Sequence, residues 1–437
     1  MGKMTKQEFE AIYKNITSTQ HSVLEMFLQG GSDREISQAL HKERTGICSH
    51  ITNICKLFEV ENEPGAYTQR EDLIELFVNH KSELVGETLL IKFGKRMLES
   101  PKVLQVPYVE RHPIESECCD KILEPGAVIR IKAPKYTGKT LLLNRILDRA
   151  KGHNYQAVTL DFTKASRVLS NYEQLLKWLC KDVGKSLGLE NKLAEHWDSD
   201  EFDEHTNTQT YFEDYLLKDR TQPLVLALKN VDRVFEQESF GMDFCDLLRC
   251  WSQLHVEGNK FAELWKNLRL IIVHSTNVYG SLDINKSPLD GVGLTQSLLD
   301  FTLEQISYLA KCYEFQGFNS DKIERFRTMF GGHPYLIQEA FVCLKKEQYS
   351  LNQLLQIAAT EVSPFISHLR EQWGELRKNS QLETAYYQVV AQTQPVRLDT
   401  NATFKLQGMG LVLVDGNDCL PRCDLYRQYF SDRLNPN

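Results

Sequence analysis

Apolar residues recur at helical spacing through the first part of the chain. The segments TSTQHSVLEMFLQG, SDREISQAL and TGICSHITNICKLF each place their apolar residues on one helical face, and short breaks separate them. The first segment closes at Gly30 and Gly31, and the second opens with a Ser-x-x-Glu capping box. Two short helices with a third behind a tight turn predict a helix-turn-helix, within a helical domain of residues 1–90.

Beyond an irregular linker at 91–110, the pattern changes to short apolar runs. AVIRIK at 127–132, YQAVTLDF, PLVLAL and LRLIIVHST are typical of buried strands, and helical stretches separate them. Strands that alternate with helices indicate a parallel sheet covered on both faces. The predicted fold class is therefore α/β, with residues 111–302 as the core.

Helical periodicity returns after residue 302. Five helical segments predict a helical lid over residues 303–379. Residues 380–437 then combine a helix, a hairpin of LVLVDG with DCLPRCD, and a final helix LYRQYFSDRL. A small unit with this order of elements is most often a winged helix, so we expect a winged-helix domain at the C-terminal end.

Composition narrows the class of protein only slightly. The 437 residues are 42% hydrophobic and 25% charged, which is ordinary for a folded globular chain. A net charge of -8 gives no general field that favours nucleic acid, so DNA binding would need a local patch. No apolar stretch approaches a membrane span, and the N-terminal segment lacks the apolar core of a secretory signal. We therefore expect a cytoplasmic protein that does not enter membranes, with its 11 scattered cysteines reduced.

A phosphate-binding motif follows the first predicted strand of the core. The octet from Ala133 to Thr140 fits a Walker A sequence except at its first position, where alanine replaces glycine. Loop N–H groups and the next helix would bind phosphates, Lys139 would contact the terminal phosphates, and Thr140 would ligate Mg²⁺. The alternative is a chance glycine turn between a strand and a helix. We expect a P-loop NTPase fold that binds ATP and Mg²⁺ through Ala133, Pro134, Lys135, Tyr136, Thr137, Gly138, Lys139, Thr140 and Leu141.

The acids that usually complete such a site are missing after the third strand. One acid is expected there for Mg²⁺ and one to polarise water, but PLVLAL is followed by Lys229 and Asn230. A lysine would oppose the metal ion and an asparagine cannot act as a base, so we expect ATP binding with weak or no hydrolysis. Asp232 is the candidate catalytic acid, and Asp161 is the alternative.

These residues resemble the AAA-like ATPase domain of bacteria, especially cyanobacteria, which is a relative of the STAND class of signalling ATPases. The resemblance covers about residues 104–434 and rests on YVERHPIE, IKAPKYTGKTLLLNRIL, LVLALKNVDRVFE, FCDLLRCW, LRLIIVHST, DFTLEQI, GGHPYLIQEA and PRCDLYRQYF. The family's strand-end pattern looks like Asp-Glu followed by Val-Asp-Arg. This chain departs from that pattern at Lys229 and Asn230 and keeps Asp232 and Arg233.

The resemblance implies further sites away from the loop. His333 and Pro334 on the lid would face the phosphates, with the imidazole as a donor; alternatively they cap and start a helix. Arg111 would lie near the base, or else in solvent. Ser275 and Thr276, after the fourth strand, fall where a polar sensor is expected, the alternative being a strand-end cap.

The N-terminal helix-turn-helix is similar to the LuxR type. Six polar residues would lie on the outer face of its third helix and reach phosphates and base edges: Arg44, Thr45, Ser49, His50, Asn53 and Lys56. Residues 1–90 nevertheless carry more acids than bases, and an acidic surround repels a duplex. Double-stranded DNA and a protein partner are therefore equal alternatives for this face.

Taken with the resemblance, these features predict an ATP-dependent signalling switch of the AAA-like and STAND type. Nucleotide state would control how the flanking domains engage a partner from a signalling or defence system, or DNA. One alternative is an active ATPase that forms a homo-oligomer, and another is a DNA-binding transcriptional regulator. Steady-state phosphate release would distinguish an active ATPase from the switch, and salt-dependent duplex binding would distinguish a DNA-binding regulator from it.

Overall fold

The chain folds into two compact units, Met1–Val106 and Pro107–Asn437. The structure is a computed structural model that describes residues 6–58, 60, 69–81, 84–86, 89, 107–258, 260–275, 289–315 and 317–434. Within these ranges, none of the helices is both long enough and apolar enough to cross a membrane. All eleven cysteines are free thiols.

The first unit is helical where it is described. Its helices are α1 (Lys6–Asn15), α2 (Ser18–Leu28), α3 (Asp33–Ala39), α4 (Arg44–Leu57) and α5 (Gln69–His80). Helices α2, α3 and α4 are the three segments predicted from sequence, and Ser32 and Glu35 form the predicted capping box. Helix α1 was not predicted. Its Phe9 is fully buried against Phe58 and Phe77, so aromatic packing joins α1 to the rest of this core.

A five-stranded parallel sheet lies at the centre of the second unit. Its strands are β1 (Val128–Lys132), β2 (Gln156–Asp161), β3 (Leu224–Lys229), β4 (Leu268–His274) and β5 (Leu294–Ser297). The order across the sheet is β2-β3-β4-β1-β5, and all neighbours pair in parallel. The α/β fold is therefore confirmed. The sequence predicted four of these strands and missed β5.

Helices cover both faces of the sheet. Along β3, Leu226 and Leu228 join one hydrophobic cluster, whereas Val225 and Ala227 join a second cluster on the opposite face. The helices of this part of the chain are α6 (Ile114–Lys121), α7 (Lys139–Gly152), α8 (Tyr172–Ser186), α9 (Leu193–His196), α10 (Glu204–Tyr211), α11 (Asp232–Phe235), α12 (Gly241–Trp251) and α13 (Ala262–Trp265).

Parallel pairing brings the carboxyl ends of the strands to one edge of the sheet. There Asp161 lies opposite Lys229, and Lys132 lies opposite His274. In open parallel sheets, ligands bind outside this edge. The loop after β1 and the residues after β3 meet at the same edge.

The chain after β5 is helical until a C-terminal hairpin. Its elements are α14 (Leu303–Cys312), α15 (Ser320–Phe330), α16 (Pro334–Lys345), α17 (Leu351–Ile357), α18 (Ile366–Leu376), α19 (Ser380–Ala391), α20 (Thr400–Met409), β6 (Val412–Asp415), β7 (Asp418–Pro421) and α21 (Asp424–Arg433). Strands β6 and β7 pair antiparallel at the predicted hairpin. Arg422, just after β7, forms a buried two-point ion pair with Asp300, just before α14. The hairpin is therefore bonded to the junction between the sheet and the helices that follow.

Candidate nucleotide site

The loop between β1 and α7 has a backbone suited to an anion. Gly138 (φ 99°) and Tyr136 (φ 63°) both lie in the left-handed region, which glycine adopts most easily. Helix α7 begins at Lys139, and its N-cap residue, Gly138, has no side chain with which to cap the first-turn N–H groups. Those N–H groups and the helix dipole attract negative charge. A nucleotide phosphate therefore fits the donors of this loop.

Lys139 holds a positive charge inside the loop. Its Nζ donates to the carbonyl oxygens of Ala133 at 2.7 Å and Pro134 at 2.8 Å. Burial lowers the pKa of Lys139 to about 8, and the charge of nearby Asp232 opposes that shift. The ammonium group is therefore largely protonated at pH 7 and largely neutral at pH 9.

ATP affinity should fall as the pH rises through the pKa of Lys139. A bound phosphate stabilises the protonated ammonium, so the full affinity exists below that pKa and is lost above it. From pH 7 to pH 9, the dissociation constant measured by titration calorimetry should rise about tenfold. Lys139→Arg keeps its charge across this range and should show no such decline, whatever its affinity. An affinity of the parent that is flat from pH 7 to pH 9 would contradict this role.

Arg111 supports the loop from the segment that precedes α6. Its buried guanidinium donates from Nη2 to the carbonyl oxygen of Thr137 at 2.8 Å, and it lies 4.9 Å from the ring centre of Phe301. A Cβ atom at position 138 would come within 3.3 Å of the same Nη2 atom, so the close approach favours glycine. The hydroxyl of Thr137, itself fully buried, donates to Pro134 at 2.8 Å. The structure thus brings Arg111 to the loop backbone, and its contact with a base stays a prediction.

Glu115 positions Arg111, a role that could not be predicted although Glu115 is the last residue of the YVERHPIE segment. One carboxylate oxygen accepts from the backbone N–H of Arg111 at 2.9 Å, and the other accepts from the hydroxyl of Tyr108 at 2.7 Å. The guanidinium of Arg145, from α7, lies 4.4 Å from the ring centre of Tyr108. These contacts join the segment from Tyr108 to Glu115 to the helix that carries Lys139.

At the end of β3, both replacement residues bind a carboxylate on the neighbouring strand. The Nδ2 of Asn230 donates to Oδ1 of Asp161 at 2.8 Å, and the Nζ of Lys229 lies 4.0 Å from Oδ2. The N–H of Thr163 donates to Asp161 at 3.0 Å. Burial alone would raise the pKa of Asp161, but these hydrogen bonds and the charge of Lys229 hold it below its usual value. Asp161 is thus ionised and already paired.

Asp232 lies at the first residue of α11 and faces β4. Its Oδ1 accepts from the backbone N–H of Ser275 at 2.5 Å. Burial raises the pKa of Asp232, whereas the Ser275 N–H and the charge of Lys139 act in the opposite direction. Asp232 and Ser275 are therefore brought together beside Lys139. Thr276, the other predicted sensor, lies outside the described residues.

Thr140 and Leu141 lie on the exposed part of the first turn of α7. The Thr140 hydroxyl and the Asp232 carboxylate are the groups that could ligate Mg²⁺. In the described part of the chain, no group of three or more His, Cys, Asp or Glu side chains could hold a metal ion. Mg²⁺ usually takes one or two protein ligands together with phosphates and water, which these two groups would allow.

His333 is buried in the helical region, and Pro334 starts α16. The imidazole packs edge-on against His368 with ring centres 5.4 Å apart, and its Nδ1 has no hydrogen-bond partner among the residues that the structure describes. Burial holds the pKa of His333 well below its usual value, so the ring is neutral. His368 in turn lies 5.3 Å from the ring of Tyr136, in the P-loop. A direct contact of His333 with phosphate stays a prediction.

The six polar residues of the first unit lie where their helix meets solvent. Arg44 and Thr45 are exposed at the start of α4, His50 is half-buried, and Ser49, Asn53 and Lys56 are exposed further along. The opposite face of α4 is buried through Ile47, Ile51 and Ile54. This helix therefore presents a polar face with two cations, as the sequence predicts.

A model of the family described as AAA-like domain matches residues 99–432. No curated protein matches the chain. Among solved structures, a Walker-type ATPase of Pyrococcus abyssi is similar at 14% identity and a TM-score of 0.49, covering 74% of this chain and 96% of that chain. The Orc1 protein of Aeropyrum pernix, solved in complex with DNA, is similar at 12% identity and a TM-score of 0.39, covering 77% and 96%. Cdc6p of Pyrobaculum aerophilum gives 13% identity and a TM-score of 0.36, covering 76% and 98%. The family match spans the loop, the ends of the strands and the helices that follow them.

Proposed function

Since this chain belongs to the AAA-like domain family of P-loop ATPases, we propose that it is a regulatory switch that binds ATP and hydrolyses it weakly or not at all. In this proposal the chain is of the STAND type. Its nucleotide state controls how the flanking domains engage a partner. The ligand is ATP with Mg²⁺, held by the P-loop from Ala133 to Thr140.

One observation carries the proposal: the two positions at the end of β3 that should hold acids hold Lys229 and Asn230, and both side chains bind Asp161. The lysine charge opposes a metal ion at that position, and the asparagine cannot accept a proton from water. Asp161 is paired, which removes it as a free base. Asp232 is the acid left beside Lys139, and its bond to the Ser275 N–H occupies one carboxylate oxygen.

The binding groups are unaffected by this loss. The loop amides, the first turn of α7 and the ammonium of Lys139 supply positive potential for the phosphates, and Thr140 would supply a hydroxyl to Mg²⁺. ATP binding and ATP hydrolysis therefore depend on different residues here. A protein of this kind would hold ATP long enough for its bound state to act as a signal.

The test is to measure binding and turnover on one preparation. Titration with ATP and Mg²⁺ should saturate, while steady-state phosphate release should stay far below the rates of ordinary enzymes, which are about 1 s⁻¹ or faster. Turnover at such rates would overturn the proposal in favour of an active ATPase. Mass measurement in solution with ATP would show whether the chain forms a homo-oligomer.

The route by which nucleotide state reaches the C-terminal end is supported by contacts within the second unit. The C-terminal hairpin, which we propose is the wing of a winged helix, is tied to Asp300 by Arg422. Arg422 also donates to the carbonyl oxygen of Gly410, and a Cβ atom at that glycine would come within 2.9 Å of Pro134. Because Pro134 belongs to the P-loop, a conformational change in the loop would reach the C-terminal hairpin region through direct packing.

The first unit has a second candidate function, DNA binding by a helix-turn-helix of the LuxR type. The exposed polar face of α4 favours it, and the acidic surround opposes it. Engagement of a signalling or defence protein through the same face is the alternative. Both are compatible with a switch in the second unit.

Combining Arg44→Ala with Lys56→Ala should weaken any duplex binding and flatten its salt dependence. Each lost phosphate contact releases about one counterion fewer, so the slope of log affinity against log salt should flatten by roughly 1.8 for two contacts. Lys14→Ala with Arg34→Ala removes the same charge from other exposed positions and is the control. Fluorescence anisotropy at several salt concentrations measures both the affinity for the duplex and the slope of that affinity with salt. If the parent binds no duplex at low salt, a protein partner becomes the favoured ligand.

A further inference from the structure

Two side chains at the tip of the P-loop donate hydrogen bonds to one carboxylate of the lid. The hydroxyl of Tyr136 donates to Oε2 of Glu371 at 2.5 Å, and the Nζ of Lys135 donates to Oε1 at 3.0 Å. Glu371 lies in the middle of α18, more than two hundred residues further along the chain. Burial alone would raise the pKa of Glu371, but these two donors hold it below its usual value, so it is an anion at neutral pH.

The ring of Tyr136 is held by two lid helices. It lies 5.2 Å from the ring of Tyr335, on α16, and 5.3 Å from that of His368, on α18. Tyr136 also keeps φ at 63°, a conformation that glycine would adopt without strain. Contacts with the lid offset that strain, so the shape of the loop tip and the position of α18 depend on each other.

Lys135 lies within electrostatic reach of the phosphate site. Its charge is one of the causes that lower the pKa of Lys139, after burial. The pair with Glu371 is itself partly open to solvent, since the side chains of Lys135 and Glu371 are 54% and 35% exposed. Exposed ion pairs of this kind are weak. A strong anion at the loop can therefore draw Lys135 away from Glu371.

We propose that Glu371 is a specificity-determining residue of the nucleotide site, whose carboxylate competes with the terminal phosphates for Lys135 and so disfavours a triphosphate relative to a diphosphate. The proposal rests on the proposed function, namely that this P-loop binds nucleotide. A triphosphate carries more negative charge than a diphosphate. It therefore experiences more repulsion from Glu371 and attracts Lys135 more strongly, which loosens the hold of α18 on the loop tip.

The test compares ATP and ADP dissociation constants for the parent and for Glu371→Gln. The glutamine still accepts a hydrogen bond from Tyr136 but carries no charge. ATP should bind about three- to tenfold more tightly to the variant, and ADP should gain less, because the Coulomb energy scales with the charge of the ligand. Glu375→Gln is the matched control. It removes a carboxylate one turn along α18 that pairs with Lys378, so both affinities should be unchanged.

Lys135→Met separates competition from simple repulsion. If Glu371 acts by occupying Lys135, the gain from Glu371→Gln should be smaller in the Lys135→Met background than in the parent. An equal gain in both backgrounds would overturn the competition for Lys135.

Hydrogen exchange in α18 gives a readout that does not depend on affinity. In the parent, ATP should speed exchange of Ile366–Leu376 more than ADP does, and in Glu371→Gln the two nucleotides should act alike. Equal effects of ATP and ADP in the parent would overturn the proposal. So would a Glu371→Gln variant that binds ATP more weakly, because Glu371 would then only position the loop. If the parent binds neither nucleotide, the proposed function itself fails, which is a distinct result.

Discussion

Replacing Lys139 with alanine should abolish the thermal stabilisation that ATP gives to the parent protein. The ammonium of Lys139, which donates to the carbonyl oxygens of Ala133 and Pro134 inside the loop, is the proposed main charge partner for the terminal phosphates. At about one hundred times its dissociation constant, a ligand adds about 2.7 kcal/mol to the free energy of unfolding. For the second unit, Pro107–Asn437, whose unfolding entropy is about 2.1 cal/mol/K per residue, that is a rise in Tm of roughly 4 °C. In Lys139→Ala the rise should be below about 1 °C at the same ATP concentration.

Lys151→Ala is the matched control for this experiment. Lys151 lies in the last turn of the same helix and is largely exposed, so its loss removes an equal charge without touching the loop. That variant should keep the full rise in Tm with ATP. The Tm of Lys139→Ala without nucleotide must stay close to that of the parent for the comparison to hold. An equal ATP-dependent rise in Tm in Lys139→Ala and in the parent would show that Lys139 does not bind the nucleotide.

The P-loop could be predicted from sequence because its signal is local. A buried strand, a glycine, a lysine and a helix follow one another within a few residues, and each of them is needed for the same backbone geometry. The same holds for the capping box at Ser32 and for the antiparallel hairpin of β6 and β7. Strand β5 was missed because its residues Leu294–Ser297 are mostly polar and only Gln296 is buried, as suits a short strand at the edge of a sheet.

The contacts that surround the loop could not be predicted, because they join distant parts of the chain. Glu371 is one of two acids on its lid helix, and only the fold brings it to Lys135 and Tyr136. Glu115 lies in the YVERHPIE segment, but its role could not be predicted, since a buried carboxylate that accepts from Arg111 and Tyr108 looks like any surface glutamate in the sequence. Local periodicity reports which face of an element is buried, and it does not report the partner.

The end of β3 shows the limit most clearly. The sequence revealed that Lys229 and Asn230 stand in place of acids, and it offered Asp161 as a substitute. It did not reveal that Asn230 donates to Asp161, because Asn230 directly follows β3 whereas Asp161 ends the neighbouring strand β2. It also gave no sign that Asn230 has φ at 58°, a left-handed conformation that asparagine tolerates and glutamate resists. Both facts change how the missing acids should be restored.

Restoring the acids with Lys229→Asp and Asn230→Glu should raise ATP turnover while ATP affinity changes only modestly. A base or water-positioning group contributes about a hundred- to ten-thousand-fold in rate, and removal of the lysine also favours Mg²⁺. The loop amides and Lys139 remain, so binding should change little. The double change removes Lys229 and Asn230 as partners of Asp161, leaves it the Thr163 N–H, and places new negative charge beside it. Adding Asp161→Asn should therefore recover lost stability without lowering the new turnover.

The left-handed backbone at Asn230 makes a second version of this variant informative. Asn230→Asp keeps a residue that tolerates this conformation, whereas Asn230→Glu adds strain of about 1 kcal/mol or more. If this strain destabilises the variant with Lys229→Asp and Asn230→Glu, the variant with Lys229→Asp and Asn230→Asp should unfold at a higher temperature. The aspartate side chain is shorter than glutamate and reaches less far towards the attacking water. Assays with radiolabelled ATP on the parent and on each variant measure the rates. The parent could instead hydrolyse ATP fast, with Asp232→Ala or Asp161→Ala abolishing that activity. Such a result would show that the catalytic acid lies at another position in this chain, and the proposal of a weak ATPase would be wrong. Slow turnover by the parent that rises in the double variant would show that the two positions at the end of β3 set the rate, because the rest of the site is the same in both proteins.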